Sequence, residues 1–443
     1  MDNSLDHEIT LSHILKFVMP SIIMMVFSNI YGMIDGLFVS NYISSDALAA
    51  VNVVFPVIMV CIALSTMLGT GGNAIIAKKL GEGKISEART NMSTIVWTTL
   101  VGSIIISVIT FIFLEPIIYF LGSNELIYDY CKDYLETLLI FLPFTMLSIL
   151  FQTFFITIGK SSLGLFFTII GGLSNIALDY LFIVDMNLGV SGAAAATAIG
   201  YCLTGLFGLI YFCFNKRNSL YLVKPCFNFK LLKEASINGS SEMVSSLAAS
   251  IVTLLLNKIL MNLAGVDGVA AITVILYIQG LLSAAFMGYS MGISPLISFN
   301  FGKGEHGRLH KLYRISMISI VITSILVFII SLWQSSFLVS VFVDTAQKNV
   351  YELSLSGLRI FSISFLFMGI NLFASAMFTA LSNGKVSAII SFLRTLVFVV
   401  VCILIFPIFF GITGVWIAIP VAELLSLIVS LFFLNKYKSF YHY

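Results

Sequence analysis

The chain has 443 residues, of which 59% are hydrophobic and 10% charged, and its mean hydropathy is +1.05. Soluble domains carry about 25% charged residues, so the composition excludes a soluble globular protein and describes a chain set mostly in lipid. The net charge of +2 is spread over short loops and implies no nucleic-acid partner.

Residues 1–12 hold Asp2, Asp6 and Glu8 and no lysine or arginine. The apolar run that follows, about 14–40, exceeds the roughly 7–15-residue core of a cleavable leader. It reads as the first membrane-spanning helix. Runs of about 20 apolar residues mark further spans. Twelve are expected, near 14–39, 47–75, 92–114, 134–158, 162–184, 190–214, 237–262, 269–298, 314–333, 355–380, 386–408 and 411–434. The expected fold is an all-α polytopic membrane protein with twelve transmembrane helices in two pseudo-symmetric six-helix bundles. Residues 1–214 form one lobe, 215–236 a cytoplasmic linker, and 237–443 the second lobe.

Alternate connections, counted from the amino terminus, carry 18 of the 23 basic residues, and the opposite set carries Lys132 and Lys348. Basic loops face the cytoplasm, so both termini are expected there and the protein in the cell membrane. Six cysteines show no C-x-x-C spacing, and the five histidines lie at the termini or in one loop. A histidine relay, a buried histidine metal site and a membrane-embedded enzyme are therefore disfavoured.

The chain repeats itself. Shifted by 221 residues, Asp46 falls on Asp267, Ala49-Ala50 on Ala270-Ala271, Gly71 on Gly292, and Gly81-x-Gly83 on Gly302-x-Gly304. Gly159-Lys160 matches Gly384-Lys385 at offset 225, and Gly189-x-x-Gly192 matches Gly411-x-x-Gly414 at offset 222. Six helices per repeat give both halves the same orientation, which is one way secondary transporters are built.

Four carboxylates lie inside apolar segments: Asp35, Asp179, Glu242 and Glu423. A charged carboxylate at the bilayer centre costs roughly 2.5–3.5 kcal/mol on insertion scales, so such residues mark function or a specific partner. Asp35 shares a helix face with Tyr31, and Pro20 earlier in that helix permits a bend. Asn175 and Asp179 are four residues apart, beside Gly171 and Gly172. Thr197 lies in the run Gly192-Ala-Ala-Ala-Ala-Thr-Ala. Two carboxylates, an amide and a hydroxyl supply oxygen ligands for Na⁺ or for a shared proton. Each acid could instead be held by a hydroxyl and only orient helices.

The second half lacks these acids: Asp35 corresponds to Leu256 and Asp179 to Val401. Glu242 is expected near the start of its helix, where solvent reaches it. Glu423 is expected to pair with Arg394 or Arg359. Gln152, Asn257, Gln279 and Asn371 are candidates to line a cavity, though each alone is more often a helix–helix hydrogen bond. The 39 phenylalanines and 17 methionines suit a pocket that re-packs around varied ligands, and equally suit lipid.

With these motifs in order, the chain resembles the MATE (multidrug and toxic compound extrusion) family over essentially its whole length. The resemblance is carried by Ile34-Asp-Gly-Leu-Phe-Val-Ser, Asp46-Ala-Leu-Ala-Ala-Val, Gly81-Glu-Gly, Asn175-x-x-x-Asp179 and Gly189-Val-Ser-Gly-Ala-Ala-Ala-Ala-Thr197. It implies an antiporter that exports organic, often cationic, compounds against inward H⁺ or Na⁺, as a monomer without a cofactor. It also implies a coupling-cation site at Asp35, Asn175, Asp179 and Thr197, with Pro20 where the first helix bends. A lipid-linked-precursor flippase on the same fold is the alternative. Some family members carry acids on helices 7 and 10, and 355–380 here has none.

Overall fold

The computed structural model describes residues 4–344 and 346–443, and every regular element among them is helical. Asp2 of the acidic amino-terminal segment lies outside them. Ten continuous helical runs are long and apolar enough to cross a membrane. Two of these contain a sharp break. Gly265 (φ 63°, ψ −148°) divides Phe229–Lys303, and Gly411 (φ 57°, ψ −135°) interrupts Phe398–Tyr441. Only glycine adopts such a backbone at little cost, so one residue reverses the chain. Each broken run supplies two crossings, giving the twelve expected from the hydropathy pattern.

In chain order the first half contains α1 (Leu11–Tyr42), α2 (Ser45–Gly81), α3 (Ile85–Ile112), α4 (Tyr128–Thr157), α5 (Ser161–Asp179) and α6 (Gly189–Phe214). The second contains α7 (229–264), α8 (266–303), α9 (His306–Trp333), α10 (Lys348–Ala380), α11 (384–410) and α12 (412–441). Side-chain caps set several starts. The Thr10 hydroxyl accepts from His13 N, and Ser44 from Ala47 N at 3.0 Å. Asn228 accepts from Leu231 N at 3.2 Å, so α7 starts at Phe229 rather than at 237. The expected connection 215–236 is correspondingly non-helical only over 215–228.

The halves repeat element by element. Ile85–Ile112 and His306–Trp333 are each 28 residues long at an offset of 221. Each is followed by a short helix, Leu114–Phe120 or Ser335–Ser340. The repeat corrects one sequence alignment. Gly159 (φ 70°) corresponds to Ser382 (φ 59°), not to Gly384. Both turns make the same bonds, Gly159 N to Ile156 O and Lys160 N to Phe155 O against Ser382 N to Thr379 O and Asn383 N to Phe378 O. The offset there is 223 and returns to 222 at the turns of Gly189 and Gly411, so the counterpart of Asp179 lies at Val401 or its neighbour Cys402. The counterpart remains non-acidic.

The lobes meet along α1, α2, α7 and α8 through glycine. A Cβ on Gly239 would lie 1.9 Å from Met67 O, and one on Gly71 2.0 Å from Ala235 O. Gly81 and Gly302 make the same approach to Phe299 O and Lys78 O, at 2.0 and 2.1 Å. These contacts close the side of the molecule that carries both chain ends. There Asp6 accepts from Lys303 Nζ at 2.7 Å and from Arg308 Nη1 at 2.9 Å. The Lys303 hydrogen bond holds the Asp6 carboxyl below its ordinary range. Gly239→Leu is expected to wedge this side open toward the ordinary helix separation of about 8–10 Å. The measurement is the distance between spin labels at Ser86 and His310. An unchanged distance would show that the backbone absorbs the side chain without lobe separation.

Candidate functional site

Small residues bring three helices of the first lobe together. A Cβ on Gly171 would lie 2.7 Å from Gly200 O, and one on Gly200 2.8 Å from Gly171 O, so α5 and α6 touch backbone to backbone. Gly172 likewise admits Phe27 of α1, whose ring edge would lie 2.6 Å from a Cβ there. This convergence sets Asp35 of α1 beside Asn175 and Asp179 of α5 and Thr197 of α6. Immediately after Asp179 the helix widens into a π-helical turn, Tyr180–Asp185, a distortion frequent at functional sites.

Thr197 Oγ1 donates to Asp35 Oδ1 at 3.2 Å, and Asn175 Nδ2 approaches Thr197 Oγ1 at 3.5 Å. Asp179 and Asn175 are buried, with 0% and 2% exposure. Among the described residues, no N–H or hydroxyl donor reaches either Asp179 oxygen or Asn175 Oδ1. The Asp179 carboxyl lies within interaction distance of the Asp35 carboxyl. Two carboxyls can bond each other only through a shared proton or a bridging cation. Asn175 Oδ1, Asp35, Asp179 and Thr197 Oγ1 form an oxygen-only set around that contact. Two acids among neutral oxygens suit a monovalent charge such as Na⁺ or H⁺.

Asp35, with Asn175 and Thr197, opens on a cavity of about 500 Å³ between the lobes, walled also by Tyr31, Phe55, Tyr134 and Tyr201 and, across the boundary, by Leu276 and Tyr277, while Asp179 lies behind that wall. Tyr31 and Tyr201 lie within electrostatic reach of one another in that wall. Tyr134 lies within electrostatic reach of both aspartates. Neither Tyr134 nor Tyr201 is evident from the sequence, because 17 tyrosines scattered through apolar segments give no pattern. Their one available signal is a phenol in mid-span, which needs a polar partner.

The other candidates separate. Gln152 lines a narrow crevice with Asn175, Thr197 and Tyr201. Asn257 and Gln279 line neither this crevice nor the large cavity. Pro20 lies in a stretch of α1 that continues unbroken as helix. Asn371 is committed to a buried network: its Nδ2 donates to Glu423 Oε2 at 2.7 Å, and its Oδ1 accepts from Ser430 at 2.8 Å. Arg394 completes that network, with Nε and Nη2 each 2.9 Å from Glu423 Oε1. Arg359 is not the partner; its Nε reaches Ser335 Oγ at 3.4 Å. The expected solvated Glu242 needs correction. Because α7 begins at Phe229, Glu242 lies more than three turns inside it, at the lobe boundary.

The MatE family profile matches residues 20–181 and 243–404, one copy in each half. The chain is 25% identical over 430 residues to the multidrug export protein MepA of Staphylococcus haemolyticus, covering 96% of this chain and 93% of that one. MepA of Staphylococcus aureus strain N315 is 25% identical over 420 residues, covering 94% and 92%. Among solved structures, MATE in complex with MaL6 aligns with a TM-score of 0.94 at 23% identity, over 100% of this chain and 99% of that one. An outward-facing multidrug resistance MATE family transporter of the MOP superfamily aligns at 0.92 and 23%, with the same coverage.

Proposed function

This chain belongs to the MatE family, and from that premise we propose that it exports small organic compounds by antiport against H⁺ or Na⁺ at the Asp35–Asp179 pair. The observation that carries the reading is the closeness of two carboxyls, one fully buried, with no hydrogen-bond donor on either Asp179 oxygen among the described residues. A proton or Na⁺ arriving there neutralises the pair, and its departure restores charge to a cavity that can then hold a cationic compound. Ion and substrate exclude one another because they share one wall. The relatives' designation as multidrug export proteins supports a broad substrate range.

In this reading the lobes, residues 1–214 and 237–443, rock about the glycine contacts, and the side with both chain ends faces the cytoplasm. The test is ethidium or norfloxacin transport by proteoliposomes under separately imposed pH and Na⁺ gradients. One gradient should drive accumulation and the other should not. Transport driven by neither would overturn antiport at this pair.

A further inference from the structure

A separate space of about 440 Å³ lies on the chain-end side of the Gly71–Gly239 contact, where α2 meets the start of α7 and the turn into α11. Its walls come from both lobes, so an occupant bridges them. The repeat shows why this space is open. At the pseudo-equivalent place, where α8 meets the start of α1, the chain packs its own amino-terminal segment. Leu5 and Ile9 are buried there, and Asp6 bonds to Lys303, the counterpart of Glu82 at offset 221. The segment that precedes α7 is held elsewhere. Arg89 Nε donates to Ser219 O at 2.8 Å, Val223 N to Ser93 Oγ at 2.9 Å, and Thr94 Oγ1 to Cys226 O at 2.8 Å. These bonds tie the connection to α3 and leave its counterpart position unfilled.

Lys78, Lys79, Glu82 and Glu234 bring charge to the wall. Two of them are satisfied: Lys79 Nζ is 3.2 Å from Glu82 and 2.9 Å from Glu87, and Lys84 Nζ is 2.9 Å from Glu82. The other two are not. Among the described residues Lys78 makes no ion pair and lies only over the Phe301 ring, at 4.9 Å, and the Glu234 carboxylate has no partner. Asn238, 4% exposed, donates through Nδ2 to Thr379 O at 2.9 Å. Its buried Oδ1 receives no hydrogen bond among the described residues, and a buried acceptor is costly to leave without a donor. The positive end of α11 lies in the same wall, at Gly384.

A free cation, a free anion and an unfilled acceptor are the complement of a zwitterion. Its anionic group faces Lys78 and the start of α11, and its ammonium faces Glu234 and Asn238 Oδ1. A quaternary ammonium has no hydrogen to donate, so the acceptor selects a primary amine. The setting selects a lipid. Phe227 and Phe229, at the start of α7, are 77% and 71% exposed, and Ile237 of the wall is also exposed, an apolar surface that marks contact with the membrane. We propose that this space binds the phosphoethanolamine headgroup of a phospholipid between Lys78 and Glu234. The proposal rests on the membrane setting and not on how Asp35 and Asp179 act.

The test is native mass spectrometry of the full chain, purified in detergent and titrated in turn with phosphatidylethanolamine and phosphatidylcholine of identical acyl chains. One copy of the ethanolamine lipid should be retained about tenfold more strongly than the choline lipid, the scale of hydrogen bonds to charged groups. Glu234→Gln should abolish that preference. Lys78→Met should weaken retention of both lipids, whose phosphates are alike. Glu234 is exposed and Lys78 half-buried, so neither substitution opens a hole in the core. Soluble glycerophosphoethanolamine should compete only far above the lipid concentration. Equal retention of the two lipids, a preference that survives Glu234→Gln, or retention indifferent to Lys78→Met would each overturn the proposal. Competition by the soluble headgroup at equal concentration would overturn the lipid as its source.

Discussion

Asp35→Asn and Asp179→Asn should each reduce gradient-driven efflux to background while the protein stays folded and inserted. The amide preserves shape and can donate or accept hydrogen bonds. It cannot alternate between charged and neutral forms, and it cannot balance the charge of a bound ion. The two roles of these acids predict different stability effects. Among the described residues no donor group hydrogen-bonds to either oxygen of Asp179, so the buried acid is maintained at a cost. Its replacement should leave the thermal midpoint unchanged or raise it. A structural acid would behave oppositely, losing stability in step with activity. The measurement is ethidium efflux from cells, normalised to inserted protein, alongside thermal unfolding of the purified variants. Near wild-type efflux by both variants would remove the coupling role from this pair.

Arg394→Met should instead act on stability. Arg394 and Glu423 have side chains 11% and 6% exposed and share two-pronged contacts near 2.9 Å. Removing the arginine leaves the Glu423 carboxylate in the lobe interior with only Asn371 to bond it. Breaking a buried pair from one side costs about 3–5 kcal/mol, whereas replacing both partners by apolar groups is often neutral. The single variant should therefore lose several degrees of thermal midpoint and much of its yield. Arg394→Met combined with Glu423→Leu should recover most of both. Efflux per folded molecule should change little. A fully stable but inactive Arg394→Met would move part of the transport cycle into the second lobe.

Two aspects of the geometry around Asp35 and Asp179 separate local from distant information. Asn175 and Asp179 share a helix face because of their spacing, and Gly171 and Gly172 announce a close helix approach. Which helix approaches is another matter. The reciprocal contact of Gly171 with Gly200 is a packing result, as is the meeting of Asp35 with residues roughly 140 positions later. Glu423 offers a similar case. An arginine partner follows from the cost of an isolated buried acid, but Arg394 rather than Arg359 follows from how α11 and α12 rotate against each other.

The sequence by itself determined the membrane class, the twelve crossings, the two-fold repeat and the absence of acids opposite Asp35 and Asp179 in the second half. These depend on hydropathy over about 20 residues, on charge sidedness and on matching positions, all of which are local or additive. Tertiary structure alone decided the two-residue register correction at Ser382, the roles of Tyr134 and Tyr201 as site walls, the placement of Glu242 in a cavity, and the glycine seam of α2 with α7 and α8. A span that is apolar all round carries no periodicity to say which face is inside. Its rotation, and so the neighbours of every polar group on it, is set only when the helices pack.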